Sequence, residues 1–167
     1  RCPACHAGSL TQGAEGLVCA ACGKAYPIDS VLGVVQFLPP DDANQAKGNI
    51  QSWWGDLYRQ LYEPTDRALT RESLAEKLAA TEDLFRRRDM LAVVEMPLER
   101  LAGKHVLEIG PGGGAHSCLF AKFGAQVTAP DITPPRAAST NRKLKLVGDG
   151  SGMAYQGDGE NLPSRTP

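Results

Sequence analysis

The chain has 167 residues, with 18 Lys plus Arg against 19 Asp plus Glu, a net charge of −1, and 42% hydrophobic residues. That balance lacks the electrostatic footprint of an obligate nucleic-acid binder, and no apolar run reaches the about 18 residues that a bilayer-crossing helix needs. No signal peptide is visible and most of the five cysteines fall in paired knuckles, so the composition points to a globular protein of a reducing compartment, the cytoplasm.

The chain opens with Cys2-Pro3-Ala4-Cys5, then thirteen residues, then Cys19-Ala20-Ala21-Cys22-Gly23. Two C-x-x-C knuckles put four thiolates at the corners of a tetrahedron, the geometry zinc takes with sulfur at about 2.3 Å. Four ligands close the shell, so Cys2, Cys5, Cys19 and Cys22 predict a structural Zn(2+) site. A redox pair is the alternative, but it lacks the neighbouring βαβ pattern. His6 directly follows Cys5, and adjacent ligands fit a tetrahedral knuckle badly, so His6 reads as an exposed knuckle residue. The segment from Tyr26-Pro27-Ile28 to Leu38 resembles the tail of zinc ribbons that head several bacterial methyltransferases; a related ribbon forms a small activator of tRNA methyltransferases. The resemblance implies a ribbon over residues 1–40 whose tail packs back as a strand, with Val31, Val34, Val35, Phe37 and Leu38 supplying bulk.

Residues 41–103 are expected to form a linker and a helical connector or lid. The stretch from Pro39 to Asn49 is rich in prolines and polar residues and predicts the linker. Trp53, Trp54, Leu57, Tyr58 and Leu61 then recur at helical spacing, which predicts a packed face; closure over a bound ligand is the sharper alternative. A second helix is expected over 70–95, with Leu74, Leu78, Leu84, Phe85 and Leu91 as its apolar stripe. Arg86-Arg87-Arg88 point in different directions around that helix and read as a solvated face rather than a phosphate clamp. Pro97 opens a short helix to Ala102, and Gly103-Lys104 turns into a strand with His105 at its start.

Val106-Leu107-Glu108-Ile109-Gly110-Pro111-Gly112-Gly113-Gly114 runs an apolar strand into a glycine-rich turn, followed by an apolar helix from Ala115 to Phe123. Glycines let backbone approach a ligand where a Cβ would collide, and the helix presents its N-terminal amides to it. His116 reads as a helix-start residue and Cys118 as a small core residue. Gly110-x-Gly112-x-x-Ala115 also satisfies the loose dinucleotide fingerprint. Glu108 separates the two readings, because a carboxylate there would repel a diphosphate and welcome a cationic sulfonium and ammonium ligand. In Glu108, Gly110, Gly112 and Gly114 the turn resembles motif I of the class I S-adenosylmethionine-dependent methyltransferases.

Two later segments extend that resemblance. Ala125 to Asp131 is a short strand ending in a carboxylate, and the family places the ribose hydroxyls on such a residue, here Asp131. The helix expected from Pro135 to Leu146 and the turn Gly148 to Gly152 lead to a third strand, Met153 to Gln156. It continues into Gly157-Asp158-Gly159-Glu160-Asn161-Leu162-Pro163, similar to the family's Gly-Asp-Ala-Glu-x-Leu-Pro, which implies that Asp158 accepts from the adenine amino group and the Gly159 amide meets a ring nitrogen.

Strand, helix, strand, helix, strand predicts a Rossmann-like parallel sheet, a partial α/β methyltransferase domain over residues 104–167 that looks truncated after its third strand. The resemblance implies S-adenosylmethionine as cofactor and methyl transfer to an acceptor, preferred as a small molecule; no residue is assigned as general base. RNA recognition by the ribbon, as in an rRNA or tRNA methyltransferase, is not favoured by the neutral charge. A non-catalytic zinc-ribbon interaction module and an NAD-dependent oxidoreductase are the remaining alternatives.

Overall fold

A computed structural model describes residues 1–38, 42–87, 97–148, 150 and 152–163. The expectations for Pro39 to Asp41, for Arg88 and Leu91, and for Asp149 and Ser151 within the Gly148–Gly152 turn fall outside the described residues. The N-terminal unit is a three-stranded antiparallel sheet of β1 (Leu10–Gln12), β2 (Gly16–Cys19) and β3 (Ala25–Pro27), with Leu10 opposite Cys19 and Leu17 opposite Tyr26. Cys2, Cys19 and Tyr26 form its small core. So little apolar material cannot by itself hold a fold of this size, which is the usual reason for a metal staple.

The connector is helical: α1 (Gln45–Leu61), α2 (Glu63–Arg67) and α3 (Arg71–Arg87), then a 3₁₀ turn, Leu98–Arg100. The linker expected up to Asn49 is shorter than predicted. The Asn44 side chain accepts from the Lys47 amide and starts α1 at Gln45, so polar residues taken for linker form the first turn of an exposed helix. Thr70 and Ser73 cap α3 reciprocally, each side-chain oxygen accepting from the other's amide at 3.2 and 3.0 Å. The packed face predicted for α1 is confined to Tyr58 and half-buried Leu57; Trp53, Trp54 and Leu61 are 59%, 41% and 60% exposed. On α3, Leu74, Leu78 and Phe85 are buried but Leu84 is exposed. Arg86 pairs with Glu82 and Glu99, and Arg87 with Asp83, all at the solvated surface.

A second sheet carries β4 (His105–Leu107), β5 (Gln126–Asp131) and β6 (Gly152–Gln156) in the order β4-β5-β6, all parallel. Helices α4 (Ala115–Lys122) and α5 (Pro134–Val147) are the crossovers, which is the α/β alternation the chain order predicts. The main core joins Leu74, Leu78 and Phe85 of α3 to Cys118, Leu119 and Phe120 of α4 and to Val127 and Ala129 of β5. On the sheet, the register row Leu107, Thr128, Met153 lines a cavity of about 720 Å³ with Leu10, Leu17 and Phe37 of the ribbon. Leu107 and Met153 remain about half exposed there.

The ribbon tail does not form the full strand expected of it. It makes single bridges, Ile28 with Val35 and Gln36 with Gln156, so it extends the parallel sheet beyond β6. Val31 sits in the preceding turn, almost fully exposed. Gln156, fully buried, gives its backbone N–H to Val35 O and accepts from Phe37 N, while its side chain pairs both ways with the Leu38 backbone. Tyr26, Phe37 and Tyr155 stack across the junction, with centroids 5.0 and 5.1 Å apart.

Candidate functional site

The turn after β4 is held against the end of β5. Glu108 N donates to Thr128 O at 3.0 Å and Gly110 N to Pro130 O at 2.9 Å, which brings the glycines beside Asp131. Gly110, Gly112 and Gly114 all have positive φ, +67°, +57° and +72°, a region that costs a residue with a Cβ about 1–2 kcal/mol. Gly114 is also the N-cap of α4, and a Cβ there would lie 2.7 Å from Thr140 Oγ1 of α5.

Beside this turn lies a cavity of about 340 Å³, within the size range of small-molecule sites. Gly110, Gly112, Asp131 and Gly159 line it, so four of the seven predicted cofactor residues converge there, from the C-terminal ends of all three parallel strands. In open α/β sheets that end is where ligands bind. Asp131 is 5% exposed; its Oδ1 accepts from Thr133 N and Oγ1 at 2.8 and 2.7 Å, and its Oδ2 from Gly112 N at 3.2 Å. The carboxylate therefore orders the turn while facing the cavity.

The other three predicted cofactor residues are not on the cavity wall. Glu108 accepts from Ser117 Oγ of α4, and His116 Nδ1 stands 3.7 Å from its second oxygen. Glu108 raises the His116 pKa against the pull of burial, and the His116 ring packs edge-on to Phe85 at 5.2 Å. Gly114 serves the α4 and α5 contact. Asp158 is clasped by Lys47 Nζ of α1 and accepts from Glu160 N at 3.0 Å; burial would raise its carboxyl, but Lys47 holds it below the usual range.

Ile50, Trp54 and Arg136 also line the cavity. The aromatic spacing on α1 predicted a packed face that includes Trp54, with closure over a ligand as the alternative, and it is the alternative that places Trp54 here. Arg136 carried only a weak signal, a cation in a first helical turn that has no acidic residue. Behind the wall, Lys143 Nζ bonds both Gly113 O at 2.7 Å and Asp66 Oδ2 at 2.8 Å, and Tyr58 and Ser139 hydroxyls also donate to Asp66. Burial works against the Asp66 charge, yet these donors keep its carboxyl below the usual range. The connector thus fastens the backbone of the glycine turn.

The four knuckle cysteines meet as predicted by their spacing. Their sulfurs lie within 4.8 Å of one another, with Cys2 to Cys22 at 3.8 Å and Cys5 to Cys19 at 3.6 Å. Zn–S bonds of about 2.3 Å in a tetrahedron require sulfurs about 3.8 Å apart, so this donor set fits zinc. Ala4 N donates to Tyr26 Oη at 3.2 Å, which leaves the hydroxyl proton for Cys2 Sγ at 3.0 Å. Burial opposes ionisation of Cys2, but Tyr26 and the knuckle amides bring its pKa down to about 6. His6, with φ +56°, is exposed and lies outside the thiol cluster. Cys118 stands apart in the main core, its thiol pushed up to about 12 by burial.

Among the described residues no helix is long and apolar enough to cross a membrane. No curated protein and no solved structure matches the chain. A family model described as a methyltransferase domain matches residues 107–166, a span that takes in the glycine turn, Asp131 and the segment after β6.

Proposed function

We propose that the chain binds S-adenosylmethionine in the cavity beside the glycine turn and serves methyl transfer to a small-molecule acceptor. One observation carries the reading: Gly110, Gly112, Asp131 and Gly159, distant in sequence and all inside the matched segment, line a single cavity at the C-terminal ends of the parallel strands. Bound S-adenosylmethionine supplies a methyl group already activated by its sulfonium. The positive-φ glycines let the turn approach it, Asp131 offers oxygens to ribose hydroxyls, and Asp158, once released by Lys47, accepts from the adenine amino group. Trp54 and Ile50 form the α1 side of the cavity. The protein's share is alignment, which is worth about 7–11 kcal/mol of barrier in well-oriented reactions.

The ribbon is read as a zinc-dependent clip on the β6 edge rather than an RNA grip. Its tail is hydrogen-bonded to Gln156, and the net charge is −1. Calorimetric titration of S-adenosylhomocysteine, S-adenosylmethionine and NADH into the chain tests the assignment. Saturable binding of both adenosyl ligands is expected, with their affinity lost in Asp131→Ala. Preferential binding of NADH, or no adenosyl binding at all, overturns it.

A further inference from the structure

We propose that Arg136 is an anion subsite of this cavity, taking the carboxylate or phosphate of a bound small molecule. Its guanidinium is placed by stacking: the central carbon lies 4.9 Å from the Trp54 ring centroid and 5.8 Å from that of Tyr62. Stacking engages the face of the group and leaves its in-plane N–H donors free. Among the described residues no hydrogen bond uses those donors. Nε is buried without a hydrogen-bond partner, and none of the ion pairs among the described residues includes Arg136. Asp131, the carboxylate on the same wall, already serves Thr133 and Gly112.

The position fits a ligand group. A Cβ at Gly112 would sit 3.1 Å from Arg136 Nη1, so one end of the guanidinium lies against the glycine turn where both line the cavity. Arg136 also lies in the first turn of α5, where no acidic residue offsets it and the helix dipole disfavours a cation. A bound oxyanion relieves both, and the planar fork matches carboxylate and phosphate geometry.

The anion has two sources: the amino-acid carboxylate of an adenosyl ligand, or an oxyanion on a separate acceptor. The first rests on the methyltransferase reading; the subsite itself does not. Inorganic phosphate is titrated into the ligand-free chain while the Arg136 Nε–H resonance is followed by NMR, and a saturable shift is expected. Calorimetry then compares S-adenosylhomocysteine with 5′-methylthioadenosine, which lacks the carboxylate, on wild type, Arg136→Met and Arg136→Lys. A loss of about tenfold or more confined to S-adenosylhomocysteine, the size of a hydrogen bond to a charged group, assigns the carboxylate to the cofactor, and retained methylthioadenosine binding shows the variants are folded. Equal affinities in all three proteins, with phosphate still binding S-adenosylhomocysteine-saturated wild type but not Arg136→Met, assign a separate acceptor. If neither adenosyl ligand binds wild type but phosphate shifts the resonance, the methyltransferase reading fails and the subsite stands. An unmoved resonance together with adenosyl binding that ignores Arg136, or is absent, overturns the subsite.

Discussion

Removing the Asp66 carboxylate tests whether the helical connector fastens the glycine turn. Asp66 on α2 and Lys143 on α5 have side chains only 10% and 8% exposed, and the Lys143 ammonium bridges Asp66 to the Gly113 carbonyl. Asp66→Ala leaves a buried ammonium with that single carbonyl and strips two hydroxyls of their acceptor, so it should cost about 3–5 kcal/mol, the range for breaking a buried pair. Lys143→Met leaves the carboxylate with Ser139 and Tyr58 at 2.5 and 3.1 Å. Each hydrogen bond to a charged group is worth about 1.5–3 kcal/mol, so this change should cost less. Asp66→Leu with Lys143→Met removes both charges and should recover most of the loss.

Urea unfolding followed by tryptophan fluorescence reads these differences. The pH dependence has a fixed sign. Because the folded Asp66 carboxyl is lowered, its contribution is complete above the ordinary carboxyl value of about 3.9 and is lost as pH falls below it through the folded value. The advantage of wild type over Asp66→Asn should therefore shrink only in acid. Single variants that each cost under about 1 kcal/mol and add independently in the double would refute the network.

Tyr26→Phe should weaken zinc binding about tenfold or more, the usual effect of removing a hydrogen-bond partner of a ligand, as measured by competition with a chromophoric chelator. Chelation of zinc should remove amide protection from Cys2 to Phe37 first; unchanged protection there would rule out a structural metal. Gly114→Ala should destabilise by more than the about 1–2 kcal/mol of its left-handed backbone, because the new Cβ also meets Thr140. Adding Thr140→Ala removes the Oγ1 and Cγ2 contacts but keeps a Cβ 3.1 Å away, so it should return most of the steric part, and full recovery would show that the backbone conformation carries no cost. His116 should titrate above its ordinary value of about 6.5 by NMR, so its pairing with Glu108 stabilises below that value and fades as pH rises through the folded value. Glu108→Gln should bring the titration down; an unmoved midpoint would exclude the pairing.

Elements that depend on local or short-range chemistry were legible in the amino-acid order alone. The spacing of Cys2, Cys5, Cys19 and Cys22 sufficed because each knuckle is a local turn, and strand and helix alternation from Val106 to Gln156 sufficed because parallel strands need crossover helices. The glycine turn at 110, 112 and 114 was legible for the same reason, as a turn open to a ligand; that all three glycines take positive φ came from the structure. The family match over residues 107–166 takes in this glycine turn. Which side chains share the cavity depends on contacts between distant elements. Glu108 has the right place in the motif, yet Ser117 on the next helix draws its carboxylate toward α4. Trp54 reaches the cavity from one side in sequence and Arg136 from the other, 82 positions apart. Gln156 carried no signal at all, although it clasps the ribbon tail to the sheet, because a buried amide is recognised only by the backbone groups that fold around it. Periodicity misjudged Trp53 and Leu61 because helical spacing states which residues share a face, and only the packing of α1 against the rest of the protein states which face is covered.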